Sequence, residues 1–172
     1  MGAARSRVMR GLLQEKQRAT EPQMSAIKSI LVSVDLAEGS DRVLDYALDF
    51  ASKLGARLTL LHVYNLPVYN FPDGSFVPTA EVAGQVADAA RRHLNDTVAR
   101  LKTRGIEMEA ILRSGPTANE ICSVATEIGA DLVIMGTHGR GAIGRALLGS
   151  TANTVVRSSP VPVLTVRTTD HA

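Results

Sequence analysis

Five of the fourteen glycines fall in one stretch, Gly136-Thr-His-Gly139-Arg140-Gly141-Ala-Ile-Gly144-Arg145-Ala-Leu-Leu-Gly149-Ser150-Thr151, whose only charged side chains are Arg140 and Arg145. Glycines let a backbone approach a ligand closely and turn through positive φ, and the free N–H groups at a helix start attract anions. The stretch follows the short apolar run Leu132-Val133-Ile134-Met135 and leads into a helix-like segment. Strand, phosphate-cradling loop and helix start therefore succeed one another, and a bound phosphate is the chemistry they suit.

Three templates compete for this loop. Gly139 to Gly144 fits the dinucleotide fingerprint G-x-G-x-x-G, but that motif follows the first strand of a βαβ unit and has an acid roughly 20 residues later. Here it follows the fourth apolar run, and Pro160 to Thr168 contain no acid. Gly144 to Thr151 has the glycine spacing of a Walker A loop, yet Ser150 stands where the phosphate-binding Lys belongs. The third template is Gly136, two residues, Gly139, nine residues, then Gly149-Ser150. In this the chain resembles the universal stress protein family, whose nucleotide-binding signature it matches throughout.

The resemblance runs from about Ser25 to Arg167. It is carried also by Ile30-Leu31-Val32-Ser33-Val34-Asp35, Leu60-Leu61-His62-Val63, Gly115-Pro116, Asp131 to Gly136, and Pro160-Val161-Pro162-Val163-Leu164-Thr165-Val166. It implies ATP bound with Mg²⁺. Gly149, Ser150 and Thr151 would contact phosphate, with Gly136 and Gly139 along ribose and phosphates. Val63 would offer backbone groups to the adenine edge, and Ser33, Val34 and Met135 complete the strand ends around the ligand. Arg140 occupies a position where the family often has Lys or Arg; it and Arg145 are otherwise loop charges in water. Asp35 has two readings: it caps the first helix or bonds loop amides, or it lies beside the nucleotide, touching ribose or holding Mg²⁺ through water.

These residues need a scaffold, and the chain alternates between two periodicities. Ile30 to Asp35 and Leu58 to Val63 are nearly continuous apolar runs, as expected of strands covered on both faces, whereas Ile106 to Leu112 alternates and reads as a half-exposed edge. Helical spacing recurs in Val43, Ala47, Phe50, Ala51 and Leu54, and again in Val82, Val86, Ala89, Leu94, Val98 and Leu101. Ser40 is the expected cap of the first helix and Gly55 its end; Thr117 with Glu120 spells a capping box, and Gly129 ends that helix. Ser150 or Gly149 opens the last helix and Pro160 stops it. About five parallel strands and four helices result, an α/β three-layer sandwich. The family resemblance implies the Rossmann-like order 3-2-1-4-5, which brings the carboxyl ends of strands 1 and 4 together, where such sheets bind ligands. The connection from Tyr64 to Pro78 is long and holds four of the six aromatic residues. It is either a nucleotide lid or partner surface, or packed against its own domain.

Composition excludes several classes. No apolar run approaches the roughly 18 residues of a membrane span. The one cysteine, Cys122, sits among Ile121, Val124 and Ala125 as a buried structural thiol, in keeping with a reducing cytoplasm. Arg5, Arg7, Arg10, Lys16 and Arg18 against Glu15 and Glu21 give the first 23 residues a net charge of +3, while the whole chain is +2. The pI near 8.9 thus comes from the tail, and the remainder offers no electrostatic footprint for nucleic acid. Residues 1–24 read as a flexible basic extension, 25–168 as the domain and 169–172 as a tail. His62 reads as a core or strand-end residue and His93 as lying on a helix's polar side. His138 is within reach of phosphate, with no metal-ligand spacing around it.

The expected function is that of an ATP-binding module in stress response or signalling, cytoplasmic and homodimeric through its last strand. Two alternatives remain open, a stress protein acting through protein contacts alone and a slow ATPase or self-phosphorylating enzyme. No base or acceptor for phosphoryl transfer can be identified.

Overall fold

The computed structural model describes residues 26–37, 39–66, 69–71, 74–76, 78–102, 108–137 and 148–168. The elements are β1 (Ser29–Val34), α1 (Ser40–Leu54), β2 (Arg57–Tyr64), β3 (Tyr69–Phe71), β4 (Gly74–Phe76), α2 (Ala80–Lys102), β5 (Met108–Ser114), α3 (Thr117–Glu127), β6 (Leu132–Gly136), α4 (Ser150–Ser158) and β7 (Val163–Val166). Five strands form one sheet in the order β5-β2-β1-β6-β7, every neighbouring pair parallel. This is the expected 3-2-1-4-5 arrangement.

All six residues of β1 are buried, which is why its sequence is apolar without alternation. Successive side chains of a strand point to opposite faces. Ile30, Val32 and Val34 accordingly join Val43, Leu44, Ala47 and Leu48 of α1 and Leu94 and Val98 of α2 in one cluster. Leu31 joins Ile121, Val124 and Ala125 of α3 and Ala152 and Val155 of α4 in a second. Burial of each large aliphatic side chain is worth about 1.5–3 kcal/mol. Two clusters on two faces make the three layers.

β5 is an edge, as expected, although its burial does not alternate: the consecutive residues Glu109 and Ala110 are both exposed. β7 is the opposite edge. The carbonyl of Pro162 accepts the N–H of Val133 at 3.0 Å, and the missing proline N–H leaves no gap in the ladder. Val166 is buried in the first cluster, because helices cover both faces of the sheet even at its edge. The long connection after β2 contains the antiparallel pair β3 and β4, with Tyr69 opposite Phe76; the side chains of residues 67–77 lie outside the description. So do residues 1–25, 103–107 and 169–172, and with them the expectations for the basic extension and the terminal tail.

Two expected caps are formed differently. The N-cap of α1 is Gly39, in a left-handed conformation and without a side-chain bond, and Ser40 is the first helical residue. The capping box at α3 is absent: Pro116 is the N-cap, Thr117 is already helical, and its hydroxyl accepts from Asn65 at 3.2 Å. Gly55 and Gly129 do end their helices in the left-handed region, at φ 61° and 59°.

The entry side of the sheet is held by Asp131. Its Oδ2 accepts the backbone N–H groups of Lys28 at 2.8 Å and Ser29 at 3.0 Å, while its own N–H donates to the carbonyl of Ser29 at 2.8 Å. One carboxylate thus sets the register of β1 against β6. Bonds to a charged acceptor are worth about 1.5–3 kcal/mol, less where water replaces them. Asp131→Ala should therefore lower the unfolding free energy by about 1–2 kcal/mol in urea, with the m-value unchanged.

Candidate functional site

The strand order reverses between β1 and β6: β2 and β5 lie to one side, β7 to the other. At the carboxyl ends of these strands is an open cleft of about 1410 Å³. It is lined by Ser33, Val34 and Asp35 after β1, Val63 in β2, Met135 and Gly136 in β6, and Gly149, Ser150 and Thr151 at the start of α4. Nine of the eleven residues singled out from sequence therefore share one cleft. The other two, Gly139 and Arg140, lie outside the described residues, as do His138 and Arg145.

Each residue is there for a local reason. β6 ends at Gly136, and the N–H of Thr137 donates to the carbonyl of Val166 at 2.8 Å, extending the β6–β7 ladder by one step. The chain returns at Gly149, whose N–H donates to the carbonyl of Thr137 at 2.8 Å. α4 then begins with no side-chain cap. The first intrahelical bond is from Asn153 to the carbonyl of Gly149, so the N–H groups of Ser150, Thr151 and Ala152 find no partner within the helix and lie at the cleft. Gly149 has φ −56° and ψ 157°, a conformation open to any residue, so its place depends on space rather than on positive φ.

Asp35 organises the loop that follows β1. Its Oδ1 accepts the N–H of Ala37 at 3.1 Å and the hydroxyl of Ser40 at 2.8 Å, and the N–H of Ser40 donates to the carbonyl of Ala37 at 3.1 Å. The turn is an Asx-type closure. Among the described residues no protein group meets Oδ2. The loop-bonding reading of Asp35 is thus what the fold displays, and the residue also lines the cleft. Leu36 is held at φ 56°, the single non-glycine residue at positive φ among the described residues, its side chain buried. Such strain persists only where neighbours over-determine the conformation.

His62 is buried, and its Nδ1 donates to the carbonyl of Val34 at 2.9 Å. A carbonyl only accepts, so Nδ1 carries the hydrogen. This is the strand-end role expected of it, although it also lines the cleft, as do Ser40, Asn65, Thr117, Thr137 and Thr168, which were not assigned to a site from sequence. Their signal is positional: Asn65 and Thr137 follow directly on a strand end, Thr168 stands two residues after one, and Ser40 and Thr117 begin the helix after one. Among the described lining residues the ionisable groups are Asp35, His62, Tyr64 and His93, with no Lys or Arg. Any anion held there by these residues is met by backbone N–H groups and hydroxyls rather than by Lys or Arg. No group of three or more metal-ligating side chains occurs among the described residues. Cys122 is half-buried on α3 rather than buried as expected, and burial pushes its thiol up from the ordinary value, which disfavours the thiolate.

Fold and cleft together define a doubly wound α/β protein with an open cleft at its switch point, the place where such sheets bind ligands. The chain belongs to the universal stress protein family, which it matches over residues 26–167. It is 35% identical over 145 residues to a universal stress protein of Thermus aquaticus, covering 81% of this chain and 98% of that one. It is 30% identical to a universal stress protein of Mycolicibacterium smegmatis, covering 83% of this chain and spanning 49% of that longer relative. The solved UspA from Lactobacillus plantarum superposes with a TM-score of 0.71 at 24% identity, over 83% of this chain and 99% of that one, a likeness of fold. A universal stress protein solved in complex with cAMP superposes with a TM-score of 0.59 at 27% identity, over 84% of this chain and all of that one. Among the described residues no helix is long and apolar enough to cross a membrane.

Gly39 packs against Thr168, one of the residues that line the cleft. At φ 93° a side chain is strained, and an added Cβ would stand 3.1 Å from the carbonyl oxygen of Thr168, which is backbone and cannot swing away. Gly55 has φ 61° but nothing within 4 Å. Gly55→Ala should cost about 1 kcal/mol, the left-handed penalty alone, and Gly39→Ala distinctly more, read as the difference in urea midpoints.

Proposed function

We propose that this chain is a cytoplasmic, nucleotide-binding universal stress protein that takes ATP with Mg²⁺ in the switch-point cleft and acts as a nucleotide-dependent module in stress response or signalling. The observation that carries the reading is the uncapped start of α4, whose three unpartnered N–H groups face a cleft without described cations. A helix start of this kind suits phosphate oxygens. The relative solved with cAMP supports an adenine nucleotide as the ligand class.

In this reading Ser150 and Thr151 donate backbone and hydroxyl hydrogens to phosphate, and Gly136, Gly139 and Gly149 keep the path clear of side chains. Arg140 supplies positive charge, while Val34, Val63 and Met135 bound the nucleoside. One carboxylate is too few to cage Mg²⁺, yet it suits an ion that keeps its waters and takes phosphate oxygens as further ligands. Asp35 would meet that ion through Oδ2 or through water. Calorimetry should give a dissociation constant in the micromolar range or tighter for ATP with Mg²⁺. Gly149→Val should weaken it about 100-fold, nearly 3 kcal/mol, while the melting temperature holds because the backbone there accepts valine. Unchanged affinity in the variant would refute the site.

The same reading includes a homodimer through β7, whose outer edge the sheet leaves unpaired. A two-fold pairing of this strand with itself closes the assembly and leaves no further edge. Val163, half-buried against the second cluster, is the position where a charge would be felt. Val163→Asp should convert a dimer into monomer or aggregate in light scattering, and a wild-type chain monomeric at micromolar concentration would refute the pairing.

A further inference from the structure

Ser33 interrupts an otherwise apolar surface. The pleat that sends Val32 and Val34 into the first cluster turns Ser33 toward the second, alongside Leu31. In register it lies between Leu61 of β2 and Met135 of β6, both members of that cluster. An alanine would complete the apolar surface here, but the chain places a hydroxyl. The residue is only 8% exposed, and among the described residues no donor or acceptor meets the oxygen. Yet among the described residues no side-chain polar atom shut off from solvent lacks a partner. The Ser33 hydroxyl is therefore withdrawn from bulk water but reached from the cleft that Ser33 lines. A hydroxyl so placed is bonded by water while the cleft is empty and offers that bond to a ligand that displaces the water.

We infer that the Ser33 hydroxyl hydrogen-bonds the heteroaromatic base of the nucleotide and so anchors the base in the cleft. The inference rests on the nucleotide reading above and deepens it. Once the phosphates occupy the start of α4, the rest of the cleft offers the apolar side chains of Val63, Ile121 and Met135, which suit the faces of a planar ring. Ser33 brings to this part a side chain that both donates and accepts. A base carries ring nitrogens and exocyclic groups in its plane, and one of these takes the place of the water.

The test compares the full chain with Ser33→Ala by calorimetry against ATP, adenosine and 2′,3′-dideoxyATP, and by thermal melting without ligand. The expected result is a five- to ten-fold weakening that is the same for all three ligands, as one lost hydrogen bond to a shared group requires. The melting temperature without ligand should be unchanged or higher, since the variant removes a hydroxyl bonded only by water. Equal affinity of the two chains for ATP overturns the inference while leaving the nucleotide reading intact. A loss absent with adenosine assigns the contact to phosphate, and one absent with the dideoxy compound assigns it to ribose; either overturns it. A melting temperature several degrees lower shows a structural hydroxyl and overturns it too. A wild-type chain that takes no nucleotide removes both readings.

Discussion

The architecture depends on β1 being hydrogen-bonded on both sides and covered on both faces. With β2 on one flank and β6 on the other, its backbone groups are satisfied in the ladders, which is the condition for burying a strand whole. That burial fixes where the strand stops: Val34 is the last paired residue, and Asp35 emerges where β2 and β6 also end. The cleft is the gap left because the connections from these neighbouring strands diverge, one to α1 and one toward α4. Asp131 at the opposite end keeps β1 and β6 in step, so a contact remote from the cleft determines which residues stand across it from each other.

Much of this was legible in the sequence because the signals are collective. The continuous run Ile30 to Val34 states that both faces of its strand are covered, the alternation around Glu109 marks an edge, and the resemblance to a known family supplied the strand order. The site residues at strand ends followed from that order. Single-residue signals served less well. Ser40 and Thr117 have the composition of helix caps, but each begins its helix one residue later than capping requires. Gly39 and Pro116 take the cap positions, leaving one hydroxyl to Asp35 and the other to Asn65. A short polar side chain can bond to whichever neighbour the tertiary structure presents, and its identity alone does not say which.

The electrostatics of the cleft follow from the same backbone economy. Described lining residues include a carboxylate and two histidines but no cation. Attraction for an anion then comes from peptide dipoles at α4, which are fixed in place and need no side-chain ordering. Asp35 lines the same cleft as the helix start, so a negative side chain and the positive end of a helix share one space. A phosphate accompanied by a cation suits such a pair better than a bare anion.

The bond from the N–H of Gly149 to the carbonyl of Thr137 pins together the two ends of an eleven-residue segment, independently of what lies between. Closing a loop costs entropy that grows only logarithmically with length, roughly 0.6 kcal/mol per doubling. With its stem fastened by that bond, α4 keeps its aim at the cleft through a contact made outside the intervening residues. Chemical preference and fold stability are thereby inherited separately, and evolution can retune the one without endangering the other.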